Sequence, residues 1–227
     1  LKQIMLKIKA VFFDLDGTLI DTEPSAEEAI RRSFKKWKVK VKEEDVQSVT
    51  GITWNECFKK LFPKYKLPVS VEEAGNEILE AYRAAIREDL HLIPGGAQAV
   101  QVLAKGGFEL ALVSGSHRAE ILWALKQLDV LHHFREVLGA EDYPQSKPAP
   151  DGYQKAAQLI QVKPDEVLVF EDSRAGVASA RAAGMWVAAI SHANHWNQDT
   201  SAAHWQIQDL TGVDPQWVRS LNSTGGK

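Results

Sequence analysis

The stretch Ile8-Lys-Ala-Val-Phe-Phe-Asp-Leu-Asp-Gly-Thr18 carries four consecutive apolar residues, Ala10 to Phe13, and ends in two aspartates, a glycine and a threonine. A short, unbroken apolar run that stops at turn formers reads as a strand over Ile8 to Leu15, covered on both faces. Strands of that kind belong to parallel sheets with helices packed on either side. The rest of the chain can then be read for what supplies the other strands and the helices.

Downstream of the quoted stretch the pattern turns helical for some seventy residues. Thr22, followed by Glu23 and Pro24 and then Glu27 and Glu28, is a helix start, with Ala29, Ile30 and Phe34 as its apolar stripe. Residues 43–49, 53–62 and 71–90 read as further helices, broken at Gly51, Pro63 and Pro68, and no strand is expected among them. After Pro94-Gly95-Gly96 the chain alternates. Helices are expected at 96–105, 118–128, 151–161 and 174–183, and strands at 108–114, 134–138, 167–170 and 186–190. A short strand near 204–207 and a helix around 215–221 follow. Strands alternating with helices predict a parallel sheet. The expected architecture is α/β: a doubly wound, Rossmann-like core from residues 1–19 and 92–227, with a helical bundle, residues 20–91, inserted after the first strand.

Composition agrees with a globular chain. Of 227 residues 44% are hydrophobic and 25% charged, which excludes disordered, collagenous and disulfide-scaffold classes. Thirty acidic residues against 27 Lys and Arg leave a formal net charge of −3, so no global basic field points to nucleic acid or an anionic membrane. One cysteine, Cys57, allows no internal disulfide, and no apolar run approaches the roughly 18–20 residues of a membrane span. A cytoplasmic protein is expected.

Polar residues fall just beyond four expected strands: Asp14 and Asp16, then Ser114, then Lys147 in Ser-Lys-Pro-Ala-Pro, then Glu171 and Asp172. In a parallel sheet such ends share one crevice, where ligands bind. Carboxylates at i and i+2, joined by a second acidic pair, make an oxygen donor set for a hard cation such as Mg2+. A lysine and a serine hydroxyl beside it suit a phosphoryl group, since the cations neutralise its oxygens and the hydroxyl donates a hydrogen bond.

Asp14-Leu-Asp-Gly-Thr18, Ser114, Lys147 and Glu171-Asp172, in that order, resemble the four motifs of the haloacid dehalogenase superfamily. The resemblance implies that Asp14 is a nucleophile that forms an aspartyl-phosphate. Asp16 would be acid to the leaving group and then base to water, and Ser114 and Lys147 would hold the phosphoryl oxygens. It further implies Mg2+ bound by the Asp14 side chain, the Asp16 carbonyl and Asp172, with Glu171 a ligand or an acceptor behind one. The inserted helices resemble the mobile cap of the subgroup containing phosphoglycolate phosphatases, sugar-phosphate phosphatases and beta-phosphoglucomutases, hinged near Thr18 to Asp21 and residues 91–95. In the mutases a cap histidine moves the proton and a cap arginine grips the distal phosphate; the corresponding places here hold Ala26 and Trp54. Dehalogenases need no second aspartate. What remains is a phosphomonoester hydrolase acting on a small sugar-like or related metabolite phosphate, with a phosphosugar mutase or a non-catalytic binding protein on the same fold as alternatives.

Four further features have two readings each. Gly115 and Arg118 follow Ser114 at the expected substrate end, where Arg118 would reach the mouth of the site or else pair with Glu120 or Glu136. Trp54 would stack on a substrate or pack between cap and core. The segment Arg31 to Lys42, with seven basic residues and no acid, would attract anions or form a solvated helix face. His192, His195 and His204 match no zinc spacing and are expected to be ordinary histidines.

Overall fold

A computed structural model describes residues 6–49, 54–194 and 197–221. The chain divides into two compact units, residues 1–20 with 92–227, and residues 21–91.

The larger unit is built on six strands: β1 (Ala10–Phe13), β4 (Glu109–Val113), β5 (Glu136–Leu138), β6 (Val167–Glu171), β7 (Trp186–Ile190) and β8 (Trp205–Ile207). Their order is β5-β4-β1-β6-β7-β8, with each strand parallel to its neighbours. All four residues of β1 are fully buried, as expected for a central strand covered on both sides. The period of two is visible in the packing. Ala10, Phe12, Ala111, Val113, Val167, Val169, Val187 and Ala189 share one core cluster with Tyr153, Ala156, Ile160, Val177 and Ala180. Those last five belong to helices α7 (Asp151–Ile160) and α8 (Arg174–Ala182). The other helices of this unit are α5 (Gly96–Lys105), α6 (Arg118–Gln127) and α9 (Pro215–Ser220).

From β1 the chain order runs to β4 and β5 on one side and to β6, β7 and β8 on the other. Loops leaving strands on opposite sides of such a reversal part company and open a crevice at the carboxyl ends. Register aligns the three central strands there: Phe13 lies level with Leu112 on β4 and with Phe170 on β6. Asp14, Ser114 and Glu171 thus come at neighbouring strand ends.

The smaller unit holds α1 (Glu23–Lys36), α2 (Glu43–Gln47), α3 (Trp54–Leu61) and α4 (Val71–Glu88). Ser70 starts α4 with a reciprocal capping box, its hydroxyl accepting from the Glu73 N–H while Glu73 accepts from the Ser70 N–H. Its core is its own: Ala29, Ile30, Phe34, Val46, Cys57, Leu61, Phe62, Ala74 and Ile78 are buried together. Burial pushes the Cys57 thiol up to about 12, which leaves it unreactive at neutral pH. No strand was expected in the insertion, yet β2 (Ile20–Asp21) and β3 (His91–Leu92) pair where the chain leaves and rejoins the core. Two residues are too few to show an alternation, so the sequence carried no signal for them.

Arg31, Arg32 and Lys36 of the basic segment lie on α1 and are ion-paired, as is Lys42 beyond its end. Arg31 pairs with Glu27 and Glu43, Arg32 with Glu28 and Glu88, Lys36 with Glu77 and Lys42 with Glu44. Of the histidines, His195 lies outside the described residues. His204 lies against the rings of Trp186 and Trp205 and accepts a hydrogen bond at Nδ1 from the Val187 N–H, 3.0 Å. Burial, reinforced by Arg181, lowers its pKa to about 4, so it is a neutral packing residue.

Candidate active site

Asp14 follows directly on β1, is buried, and its N–H bonds to the Phe170 carbonyl at 3.1 Å, which locks the strand end in place. The chain then turns at Gly17, whose φ of +79° is costly for any residue with a Cβ. A Cβ there would also lie 2.1 Å from Asp172 Oδ2, so glycine lets the first motif approach the fourth. Thr18, fully buried, donates toward Asp172 Oδ1 at 3.5 Å.

Lys147 ties the strand ends together. Its ammonium donates to Asp14 Oδ1 at 2.5 Å, to Glu171 Oε1 at 2.5 Å and to the Val113 carbonyl at 3.0 Å, and it lies 5.0 Å from the centre of the Tyr153 ring. Glu171 is completely buried and accepts from five donors. Lys147 and the Tyr153 hydroxyl, 2.8 Å, reach Oε1, while the Asp172 N–H, the Ser173 N–H and the Ser173 hydroxyl reach Oε2. Ser173 also accepts from the Gly176 N–H and so caps α8. Capping and acid placement are one device.

Asp16 sits in a different setting. Its Oδ2 accepts from the Ser116 hydroxyl at 2.7 Å and from the Ser114 hydroxyl at 3.4 Å. The Ser116 N–H donates to Ser114 Oγ at 3.0 Å, and Tyr143 donates to the Ser114 carbonyl at 2.7 Å.

Asp14, Glu171 and Asp172 each offer an oxygen, all within 4.8 Å of one another. Burial, together with Glu171 and Asp16, outweighs the neighbouring Lys147 and raises Asp14 to about 8. Burial and the Glu171 and Asp14 charges hold Asp172 well above its usual value, and burial raises Asp16 against the pull of Ser116, Lys147 and Ser114. Burial works against the Lys147 ammonium, but Asp14 and Glu171 keep it charged, well above its ordinary range. An all-oxygen cluster with more acid than its single ammonium can offset, protonated when no cation is present, fits a hard divalent cation. Glu171 already has both oxygens engaged, so Asp14 and Asp172 are the carboxylates with lone pairs to spare.

In the metal-free protein Asp14 and Asp172 bind protons more tightly folded than unfolded, where the value is near 3.8. The Asp14 contribution is greatest at low pH and is lost as pH rises from about 4 through about 8, and Asp172, also raised, adds a loss of the same sign. Melts in chelator are expected to shift downward between pH 5.5 and pH 8.5. Saturating Mg2+ is expected to remove most of that decline and, near pH 7.5, to release protons as it binds. A melting temperature in chelator that holds steady or climbs over this range would contradict it.

The structure brings Asp14, Lys147, Glu171 and Asp172 into one hydrogen-bonded cluster and Asp16 with Ser114 into a second, two residues along the chain from Asp14. Gly115 is exposed beside it, and a Cβ there would meet nothing within 4 Å. Arg118 is exposed: its guanidinium donates to the Val137 carbonyl and to Asp142, and its N–H to Glu141. Trp54 lies in the smaller unit against Phe58 and Tyr82, with ring centroids 5.7 and 5.1 Å away. Ser116, Tyr143 and Tyr153 also bond into the site, with no role assigned to them from the sequence. Ser116 had a legible signal, a second hydroxyl two residues after Ser114.

The family described as haloacid dehalogenase-like hydrolase matches residues 11–190. Protein CbbY of Rhodobacter capsulatus is 29% identical over 95% of this chain and all of its own length. A phosphorylated carbohydrates phosphatase of Thermotoga maritima is 30% identical over 78% of this chain and 82% of its own. Among solved structures, a Thermotoga maritima protein assigned as a beta-phosphoglucomutase superposes with a TM-score of 0.78 at 27% identity, covering 93% of this chain and 97% of that one.

Proposed function

We propose that this chain, which belongs to the haloacid dehalogenase-like hydrolases, is a Mg2+-dependent hydrolase of small phosphomonoesters, sugar or related metabolite phosphates, working through an aspartyl-phosphate. The observation that carries this reading is the divergence of two carboxylates only two residues apart. Asp14 faces an ammonium and two acids, and Asp16 faces two hydroxyls. Carboxyl groups placed in different environments take different roles in proton and phosphoryl chemistry.

In the first step an Asp14 oxygen forms a bond to phosphorus while the bond from phosphorus to the ester oxygen breaks. That oxygen keeps the electron pair and takes a proton from Asp16. In the second, water attacks phosphorus, Asp16 removes its proton, and the phosphorus–oxygen bond to Asp14 breaks to leave inorganic phosphate and a free carboxylate. Lys147 fixes Asp14 and, with the Ser114 hydroxyl, meets the phosphoryl oxygens. Mg2+, held by Asp14 and Asp172 with Glu171 behind them, would supply charge neutralisation for an anion approaching this acidic crevice. Residues 21–91 would act as the cap that excludes water and selects the leaving group.

The relative that hydrolyses phosphorylated carbohydrates supports the substrate class. A phosphosugar mutase is the second reading, favoured by the likeness to the Thermotoga maritima protein. Against it stand Ala26 and Trp54 at the places a mutase uses for histidine and arginine. Among the described residues no helix is long and apolar enough to cross a membrane.

The test is a panel of phosphomonoesters, p-nitrophenyl phosphate included, assayed with Mg2+ and with chelator. Phosphate release that requires Mg2+ is expected, and Asp16→Asn is expected to lower it by about 10²-fold or more, since an amide cannot pass a proton. A folded wild type that releases no phosphate from any ester sinks the hydrolase reading. Isomerisation of a hexose 1-phosphate faster than its hydrolysis, with a bisphosphate primer, would favour the mutase.

A further inference from the structure

Asp16 can act on a leaving group only if its carboxyl is aimed, and the bonds around it show what does the aiming. Both hydroxyls that reach it converge on a single oxygen, Oδ2; among the described residues Oδ1 accepts no bond. The two contacts are unequal, 2.7 Å from Ser116 and 3.4 Å from Ser114. Ser114 has one hydroxyl proton, and a hydroxyl 3.4 Å from its acceptor is weakly held. Its oxygen is already fixed from the other side by the Ser116 N–H at 3.0 Å, and its carbonyl by Tyr143 at 2.7 Å.

We infer that Ser116 is a positioning residue for the acid step. Its hydroxyl anchors Asp16 through Oδ2 so that Oδ1 carries the transferable proton, and its N–H orients Ser114, whose own proton is left for the phosphoryl group. Ser116 touches neither phosphorus nor the leaving oxygen. This inference rests on the hydrolase reading and adds to it a division of labour between two serines two residues apart.

Loss of acid positioning has a signature that loss of binding lacks. An alkoxide leaves poorly without a proton, whereas p-nitrophenolate leaves as a stable anion. A defect confined to Asp16 therefore penalises alkyl phosphates selectively in kcat/KM, which reports the first transfer. A defect in phosphoryl binding penalises both esters alike, because both carry the same phosphoryl group. The experiment compares wild type, Ser116→Ala and Ser116→Thr on p-nitrophenyl phosphate and on the best alkyl phosphate of the panel, at saturating Mg2+. For Ser116→Ala we expect kcat/KM to fall about tenfold or more on the alkyl ester and less than about threefold on the aryl ester, with Ser116→Thr restoring most of the loss. Retained aryl activity shows that the variant is folded. Equal losses on both esters, no loss on either, or no rescue by threonine would overturn the positioning role while leaving the hydrolase reading intact. A wild type inactive on every ester removes that reading first, and the inference with it.

Discussion

Asp14→Asn is expected to lose phosphate release by on the order of 10⁴-fold or more, while staying folded and becoming no less stable without metal. The amide is too weak a nucleophile to displace an alcohol from phosphorus, and no other carboxylate follows β1 at the same place. Its geometry is otherwise conserved, because the amide oxygen can still accept from Lys147 and the backbone bond to Phe170 is untouched. What changes is charge. Burial and the acids around Asp14 lift its pKa to about 8, so near pH 8.5 the wild type holds an anion there at a cost that the neutral amide avoids. Melting in chelator at pH 8.5 should therefore give the variant a midpoint equal to or above that of wild type, and the Mg2+-induced rise should shrink. A variant that keeps even a few per cent of wild-type turnover would remove Asp14 from the nucleophile's role.

Lys147→Ala combines loss of activity with the largest loss of stability expected at this site. The ammonium bonds both Asp14 and Glu171, and Glu171 is fully buried. Removing one partner of a buried ion pair leaves an uncompensated charge, which costs about 3–5 kcal/mol. For a chain of this size that is a melting temperature lower by about 10 °C. Mg2+ is expected to recover part of the difference, because it supplies positive charge to the same acids, and turnover is not expected to return with it. A melting temperature within about 2 °C of wild type would show that the cluster relaxes by protonation instead of paying for the lost lysine.

Much of this site could be read from the chain before its structure. Asp14, Asp16, Ser114, Glu171 and Asp172 follow apolar runs whose end is visible in the sequence, and a parallel sheet brings such ends together for general reasons. Lys147 lies in a loop and was recognised by motif. Tyr143 and Tyr153 serve the motif residues through contacts that no local pattern encodes. Tyr153 is an apolar-face residue of α7 like its neighbours Ala156 and Ile160, and only the fold shows its hydroxyl meeting Glu171 from a different element. Ser116 meets Asp16 across a sequence separation of 100. Arg118 had two readings in the sequence, the mouth of the site or a surface pair, and in the fold its guanidinium donates to the Val137 carbonyl and to Asp142.

The pairing of β2 with β3 also bears on how the chain reaches this state. β1 must find β4 about a hundred residues away before any of the site exists, and most of that distance is the insertion. As loose chain, the insertion would lengthen the loop more than threefold and add about 1 kcal/mol to the entropy of closure. It has its own apolar core, however, and its two ends are joined by that small ribbon. Once collapsed, it behaves as a short bridge, and the search that unites β1 with β4 is governed by the few residues on either side of it.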